Sequence, residues 1–159
     1  MAITSASESE KVPIDWISTG ITGLDSLLGG GIPTKRITEI FGPYSVGKTS
    51  LAYLILAQAQ KEGRVAMLAD IEWSFEPDYA RTLELDLDKL MLLQSKHAED
   101  ALDELESFAE KHKDAVIVLD AVGALLPRTE AEKANGEKTI GGQASLVARF
   151  CRKITPLRS

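Results

Sequence analysis

Gly42-Pro43-Tyr44-Ser45-Val46-Gly47-Lys48-Thr49 decides how this chain is read. Its spacing, G-x-x-x-x-G-K-[ST], is that of a loop that wraps phosphate oxygens. Glycines let the backbone turn tightly enough for its N–H groups to converge on an anion. A helix beginning near Lys48, with Ser50 in its first turn, adds the positive end of its dipole. Lys48 then reaches the β- and γ-phosphates, and the Thr49 hydroxyl holds magnesium. The stretch implies a nucleoside triphosphate bound with Mg2+.

Such a loop has this meaning only between a strand and a helix, and the flanking residues supply both. Ile37 to Phe41 is β-branched and apolar and predicts a strand running straight into Gly42. Ser50 to Lys61 predicts a helix with Leu51, Leu54, Ile55 and Ala59 on one face, ended by Gly63. Upstream, Ile17 to Leu28 reads as a turn and a short helix, capped at Thr22 or Asp25 and stopped by Gly29-Gly30-Gly31. Downstream, Val65 to Asp70 and Leu90 to Leu93 read as strands, with a short helix from Pro77 to about Leu83 between them. Ala98, Ala101, Leu102, Leu105, Phe108 and Ala109 keep helical spacing. Ala115 to Asp120 is a continuous apolar run, the pattern of a parallel strand buried on both faces. Arg128 to Gly142 is rich in charge, Gly and Asn and reads as a mobile loop; Ala144 to Ile154 returns to helical spacing. Alternating strands and helices predict an α/β fold, a phosphate-loop NTPase with a mostly parallel sheet flanked by helices. Residues 1–15 read as a flexible tail and 16–159 as one core.

Two further sets of acids end predicted strands. Asp120 falls at the C-terminal edge of the sheet, where open α/β folds bind ligands, and can accept from a magnesium-bound water or from Thr49. Asp70 and Glu72 lie at the same edge. Hydrolysis needs a group that positions or deprotonates water; Glu72 is the better candidate, since Asp70 could equally end its strand through backbone hydrogen bonds, though spacing alone leaves the two near even.

The composition, 44% hydrophobic and 26% charged, is that of a globular domain. No apolar run approaches the roughly 20 residues that cross a bilayer. Met1 to Glu10 has no apolar core and is not a secretory signal, so a cytoplasmic location is expected. Cys151 is the only cysteine, which excludes an internal disulfide, and its apolar neighbours make it a small core residue. His97 and His112 lack ligand-like spacing, and Trp73 reads as a packing or interface residue. A net charge of −6 argues against nucleic acid at face value. Yet from Ala121 onward Arg128, Lys133, Lys138, Arg149, Arg152, Lys153 and Arg158 outnumber Glu130, Glu132 and Glu137, an asymmetry that can mark a local electrostatic site. Arg149, Arg152 and Lys153 fall at i, i+3 and i+4 and share a helix face.

The run Ile17-Ser18-Thr19-Gly20, Leu24-Asp25, Leu28-Gly29 and Ile40-Phe41-Gly42-Pro43 resembles the start of the RecA/RadA recombinase core. Asp70-Ile71-Glu72 and Glu76-Pro77-Asp78-Tyr79-Ala80-Arg81 are similar to that family's segment holding the catalytic glutamate and the adenine contacts. Val116 to Leu125, then Pro127-Arg128, resembles its second nucleotide motif and the start of its first DNA loop. The resemblance implies ATP as the nucleotide, Glu72 as activator of the attacking water, Glu76 and Tyr79 against the adenine, and magnesium at Thr49 and Asp120. It implies single-stranded DNA at Arg128, Lys133, Lys138 and Ile140, extended by the basic helix face with Arg149 and Arg152. Ser145 departs from the pattern, since the family's bacterial members carry an arginine there.

By the same comparison the fold is incomplete on its C-terminal side, lacking strands that include one between the phosphate-loop strand and the Asp120 strand. Unpaired backbone at that gap leads us to expect an isolated chain of low stability, completed by self-association or by a complementary recombinase chain. The leading expectation is an ATP-dependent, DNA-binding recombinase core. The alternatives are another ATPase of the same fold, such as a KaiC-like switch or a repair accessory factor, and a non-catalytic nucleotide-binding interaction module.

Overall fold

The structure is a computed structural model that describes residues 14–131 and 141–155. Its centre is β3 (Ala66–Asp70), buried at every position. It pairs in parallel with β4 (Leu90–Leu93) on one side and with β5 (Val116–Asp120) on the other. Parallel pairing needs a crossover connection, and helices supply it: α2 (Lys48–Lys61) precedes β3, α3 (Pro77–Thr82) links β3 to β4, and α4 (Ala98–Lys111) links β4 to β5.

Side chains alternate across a strand, so β3 feeds two cores. Ala66 and Leu68 face α2, where Tyr53, Leu56 and Ala57 join Ala80 and Leu85. Met67 and Ala69 face the other way, onto Ala98, Ala101, Leu102 and Leu105 of α4. The last described helix, α6 (Gly142–Ile154), packs Leu146, Val147 and Phe150 against that second core. The sheet is thus covered by helices on both faces, as parallel sheets require.

At the N-terminal side, β1 (Trp16–Ile17) and β2 (Ile32–Pro33) form a separate antiparallel pair around α1 (Thr22–Leu28). Gly31 holds φ +126°, and a Cβ there would stand 2.1 Å from the Ile17 carbonyl oxygen, so only glycine fits this crossing. Neither expected cap residue caps α1: its N-cap is Ile21, and Thr22 is already helical. Asp25 turns back instead and accepts hydrogen bonds from Thr19 N–H (2.8 Å), the Thr19 hydroxyl (2.6 Å) and the Ser18 hydroxyl (2.6 Å). These donors stabilise the ionised carboxylate and hold its pKa below the ordinary value, the Ser18 bond contributing most.

Two other departures from expectation share a cause. Ile37 to Phe41 forms no strand, and Ile37, Ile40 and Phe41 are exposed. Thr38 and Ile40 line a cleft of about 740 Å³ whose far wall is Val116, Ile117 and Val118 of β5. With that gap between them, residues 37–41 have no ladder partner among the described residues, and extended backbone without one is not held. β5 likewise is half-buried along its length rather than buried on both faces, because only one of its edges is paired among the described residues. A short helix, α5 (Arg128–Ala131), opens the segment expected as a loop; the rest, 132–140, lies outside the described residues, as does nearly all of the expected tail. Cys151 is half-buried and stands outside the cores. Among the described residues no helix is long and apolar enough to cross a membrane.

Candidate nucleotide site and basic helix face

The site forms where β3 and β5 end together, since Asp70 and Asp120 are register partners. The phosphate loop reaches this edge at the start of α2. Gly47 is the N-cap and adopts φ +92°, a conformation that glycine takes without steric cost. That turn leaves the first N–H groups of a 14-residue helix without side-chain caps, aimed toward an incoming anion. Gly42, Pro43, Tyr44, Ser45 and Val46 are exposed ahead of it. Lys48 spans the loop: its ammonium donates to the carbonyls of Gly42 (3.1 Å) and Pro43 (2.7 Å), with the Tyr44 ring centroid 5.9 Å away.

Thr49 and Asp120 meet across 71 residues of sequence, the threonine hydroxyl donating to the carboxylate at 2.7 Å. One hydroxyl and one carboxylate are a sparse protein set, and no group of three or more His, Cys, Asp or Glu is placed to hold a metal among the described residues. That sparseness fits Mg2+, which keeps several waters and is completed by phosphate oxygens. Ser50, one residue on, hydrogen bonds to the Tyr79 hydroxyl at 2.7 Å. Tyr79 also lies tilted at 6.3 Å from Tyr53, whose own hydroxyl is pushed up in pKa by burial. The ring of Tyr79 is thereby fixed beside the loop with 45% of its surface exposed, and Glu76 is the exposed N-cap of the same helix.

The two acids after β3 have separate surroundings. Asp70 is 2% exposed and accepts from Ser74 N–H (3.0 Å), Phe75 N–H (3.1 Å) and the Gln94 amide (2.9 Å). Its oxygens are occupied in folding residues 70–75 into a tight loop. Glu72, at the crest of that loop, is exposed with Trp73 beside it at φ +56° and 55% exposure. Of the two, Glu72 is the one free to meet solvent, while Asp70 builds the loop that carries it. Trp73 is too exposed to be a core residue.

The basic residues divide. Arg149 and Arg152 are exposed on α6, and Lys153 pairs with Glu106 of α4 at 2.6 Å. Arg128 pairs with Asp100, while its backbone N–H donates to Glu99 (3.1 Å) and the Leu126 carbonyl accepts from Ala98 N–H (2.9 Å). Exposed pairs of this kind are each worth about 0–1 kcal/mol, so a phosphate can compete for either cation. Lys133, Lys138 and Ile140 lie outside the described residues. Gln94 and Gln143 were missed by the reading of the sequence. The position of Gln94 just past β4, at the same sheet edge, was a usable signal; for Gln143 there was none.

Comparison with known proteins places this geometry in a family. The sequence is 45% identical over 159 residues to the protein RecA of Thermus aquaticus, covering 99% of this chain and 47% of that protein. It is 43% identical over 155 residues to the RecA proteins of Rhodopirellula baltica and Clostridium acetobutylicum, of which it covers 41% and 44%. The chain therefore spans less than half the length of these relatives. The sequence profile of the RecA N-terminal domain matches residues 1–158, and the chain belongs to that family.

Proposed function

We propose that the chain is the nucleotide-binding portion of an ATP-dependent, DNA-binding recombinase acting in homologous recombination and repair, with residues 16–159 as its core. The observation that carries this is the 2.7 Å bond between Thr49 and Asp120 at the mouth of the phosphate loop. A threonine and a strand-end carboxylate held together in this way would hold Mg2+, which would offset the negative charge of the triphosphate. The residues Gly42 to Ser50 hold the triphosphate, with Lys48 neutralising charge as it develops. Tyr79 and Glu76 receive the adenine, and Glu72 orients the attacking water. Single-stranded DNA lies along Arg149 and Arg152, with Arg128, Lys133, Lys138 and Ile140 of the preceding segment. The edge of β5 that has no strand partner among the described residues supports assembly with further copies or a complementary recombinase chain. Work on chromosomal DNA makes the cytoplasm its place.

ATP turnover measured with and without an oligo-dT strand tests the proposal. DNA should stimulate turnover, and Lys48→Ala should abolish it. Glu72→Gln should lower turnover by about 10²–10⁴ while leaving ATP binding intact. Turnover indifferent to DNA would move the chain to a switch-like ATPase, and binding without turnover to a non-catalytic module. Replacing Arg149 and Arg152 with alanine should weaken DNA binding and flatten its dependence on salt by about one unit of slope per arginine.

A further inference from the structure

Gln143 makes an unusual set of bonds for a surface helix. It is the second residue of α6, following Gly141, which takes φ +83° as the N-cap. Its side-chain amide nitrogen lies 2.8 Å from the Val122 carbonyl, 3.1 Å from that of Gly123 and 3.0 Å from that of Leu125. An amide nitrogen has two hydrogens, so three carbonyls share two donors in one focus. Those carbonyls belong to the turn that starts directly after Asp120, a single 3-10 segment over Val122–Ala124. The turn has two other ties: its own bonds, Ala124 N–H to Ala121 (3.0 Å) and Leu125 N–H to Val122 (3.2 Å), and the burial of Leu125 in the core under α4. Backbone carbonyls in a turn are otherwise satisfied by water, so a side chain that gathers three of them sets where the turn sits relative to α6.

The turn stands between two places with assigned roles. At its start is Asp120, bonded to Thr49 of the phosphate loop. At the far side of Gln143, α6 continues to the exposed Arg149 and Arg152. We infer that Gln143 is a positioning residue that couples the basic face of α6 to the metal carboxylate: a polyanion on α6 biases the Val122–Leu125 turn through Gln143, and the turn biases Asp120. The inference rests on the reading of α6 as a DNA face and of Asp120 as a magnesium ligand. Coupling of this kind is reciprocal, so Mg·nucleotide changes DNA affinity by the same factor by which DNA changes nucleotide affinity.

The test is a pair of binding measurements on the whole chain: affinity for a fluorescent, non-hydrolysed ATP analogue with Mg2+, with and without saturating oligo-dT. Wild type should show a mutual effect of roughly 5–150-fold, the usual span of such couplings. Gln143→Met keeps the length of the side chain and removes its donors. It should bind each ligand alone within about twofold of wild type and lose most of the mutual effect. Gln143→Met with the wild-type mutual effect overturns the inference and leaves the proposed function standing. A wild type that binds both ligands without mutual effect does the same. A wild type that binds neither ligand removes the proposed function and the inference with it. Because a core-adjacent variant can fail to fold, hydrogen exchange on wild type supplies an independent arm. Adding oligo-dT without nucleotide should change exchange at the Ala124 and Leu125 amides several-fold, and unchanged rates there overturn the coupling.

Discussion

Asp120 meets Thr49 with one carboxylate oxygen, and on the proposed function the other would serve a magnesium-bound water. Asp120→Asn preserves shape and removes the charge. Supporting groups around a metal typically cost 10–100-fold in metal affinity when changed, and a loss of about that size is expected in Mg2+-dependent nucleotide binding. A magnesium titration monitored by a fluorescent ATP analogue measures it, and the binding that persists in EDTA should be unaltered. Asp70, one strand away, has the opposite character: it is buried and its three donors come from the protein. Asp70→Ala removes the acceptor of Ser74 N–H, Phe75 N–H and the Gln94 amide, at a total cost of about 1–3 kcal/mol, since Ser74 and Gln94 are exposed and can turn to water. A drop in unfolding free energy of that size, read from urea unfolding curves and accompanied by loss of any activity that depends on Glu72, is expected. The sequence left Asp70 and Glu72 as alternatives because identity alone does not say which acid is enclosed. Burial separates them, and burial follows from the Gln94 and 74–75 contacts, which are not visible in spacing.

At the scale of the element, α4 shows why periodicity is legible. Ala98, Ala101, Leu102 and Leu105, expected on one helix face, are the residues buried against β3. Leu105 is fully buried, and Leu105→Ala should destabilise the fold by about 2–5 kcal/mol, read from chemical unfolding. The β1–α1 turn carries a pH dependence instead. Asp25 has its folded pKa depressed below 3.8 by the Ser18 and Thr19 bonds. Its contribution is therefore complete above the unfolded value and lost as pH falls through the lower folded value. Asp25→Asn should cost stability at pH 7, and the gap to wild type should close below about pH 4, near the reference pKa of an aspartate. Unfolding curves of the two proteins across pH 2–7 would show the convergence. Ile37 to Phe41 marks the limit of such reading. Its composition is that of a strand, but a strand exists only with a ladder partner, and that partner is remote in sequence and thus invisible to local pattern.

For the molecule as a whole, the Thr49–Asp120 bond has a consequence for how folding is reported. The two residues come from α2 and β5, 71 positions apart, and meet only when the helix has docked on the strand. Neither half of the chain can form the pair alone, so on the proposed function nucleotide affinity would belong only to chains in which that pair has formed. A ligand that binds the folded state alone raises its stability by about 2.7 kcal/mol at 100 times its dissociation constant. The melting temperature should therefore climb with Mg·ATP concentration in wild type. In Thr49→Val the rise should be smaller at the same concentrations, which a dye-based melting series can measure. If the proposed function holds, the triphosphate becomes a gauge of how much of the population is folded: its saturation curve would count assembled sheets, molecule by molecule.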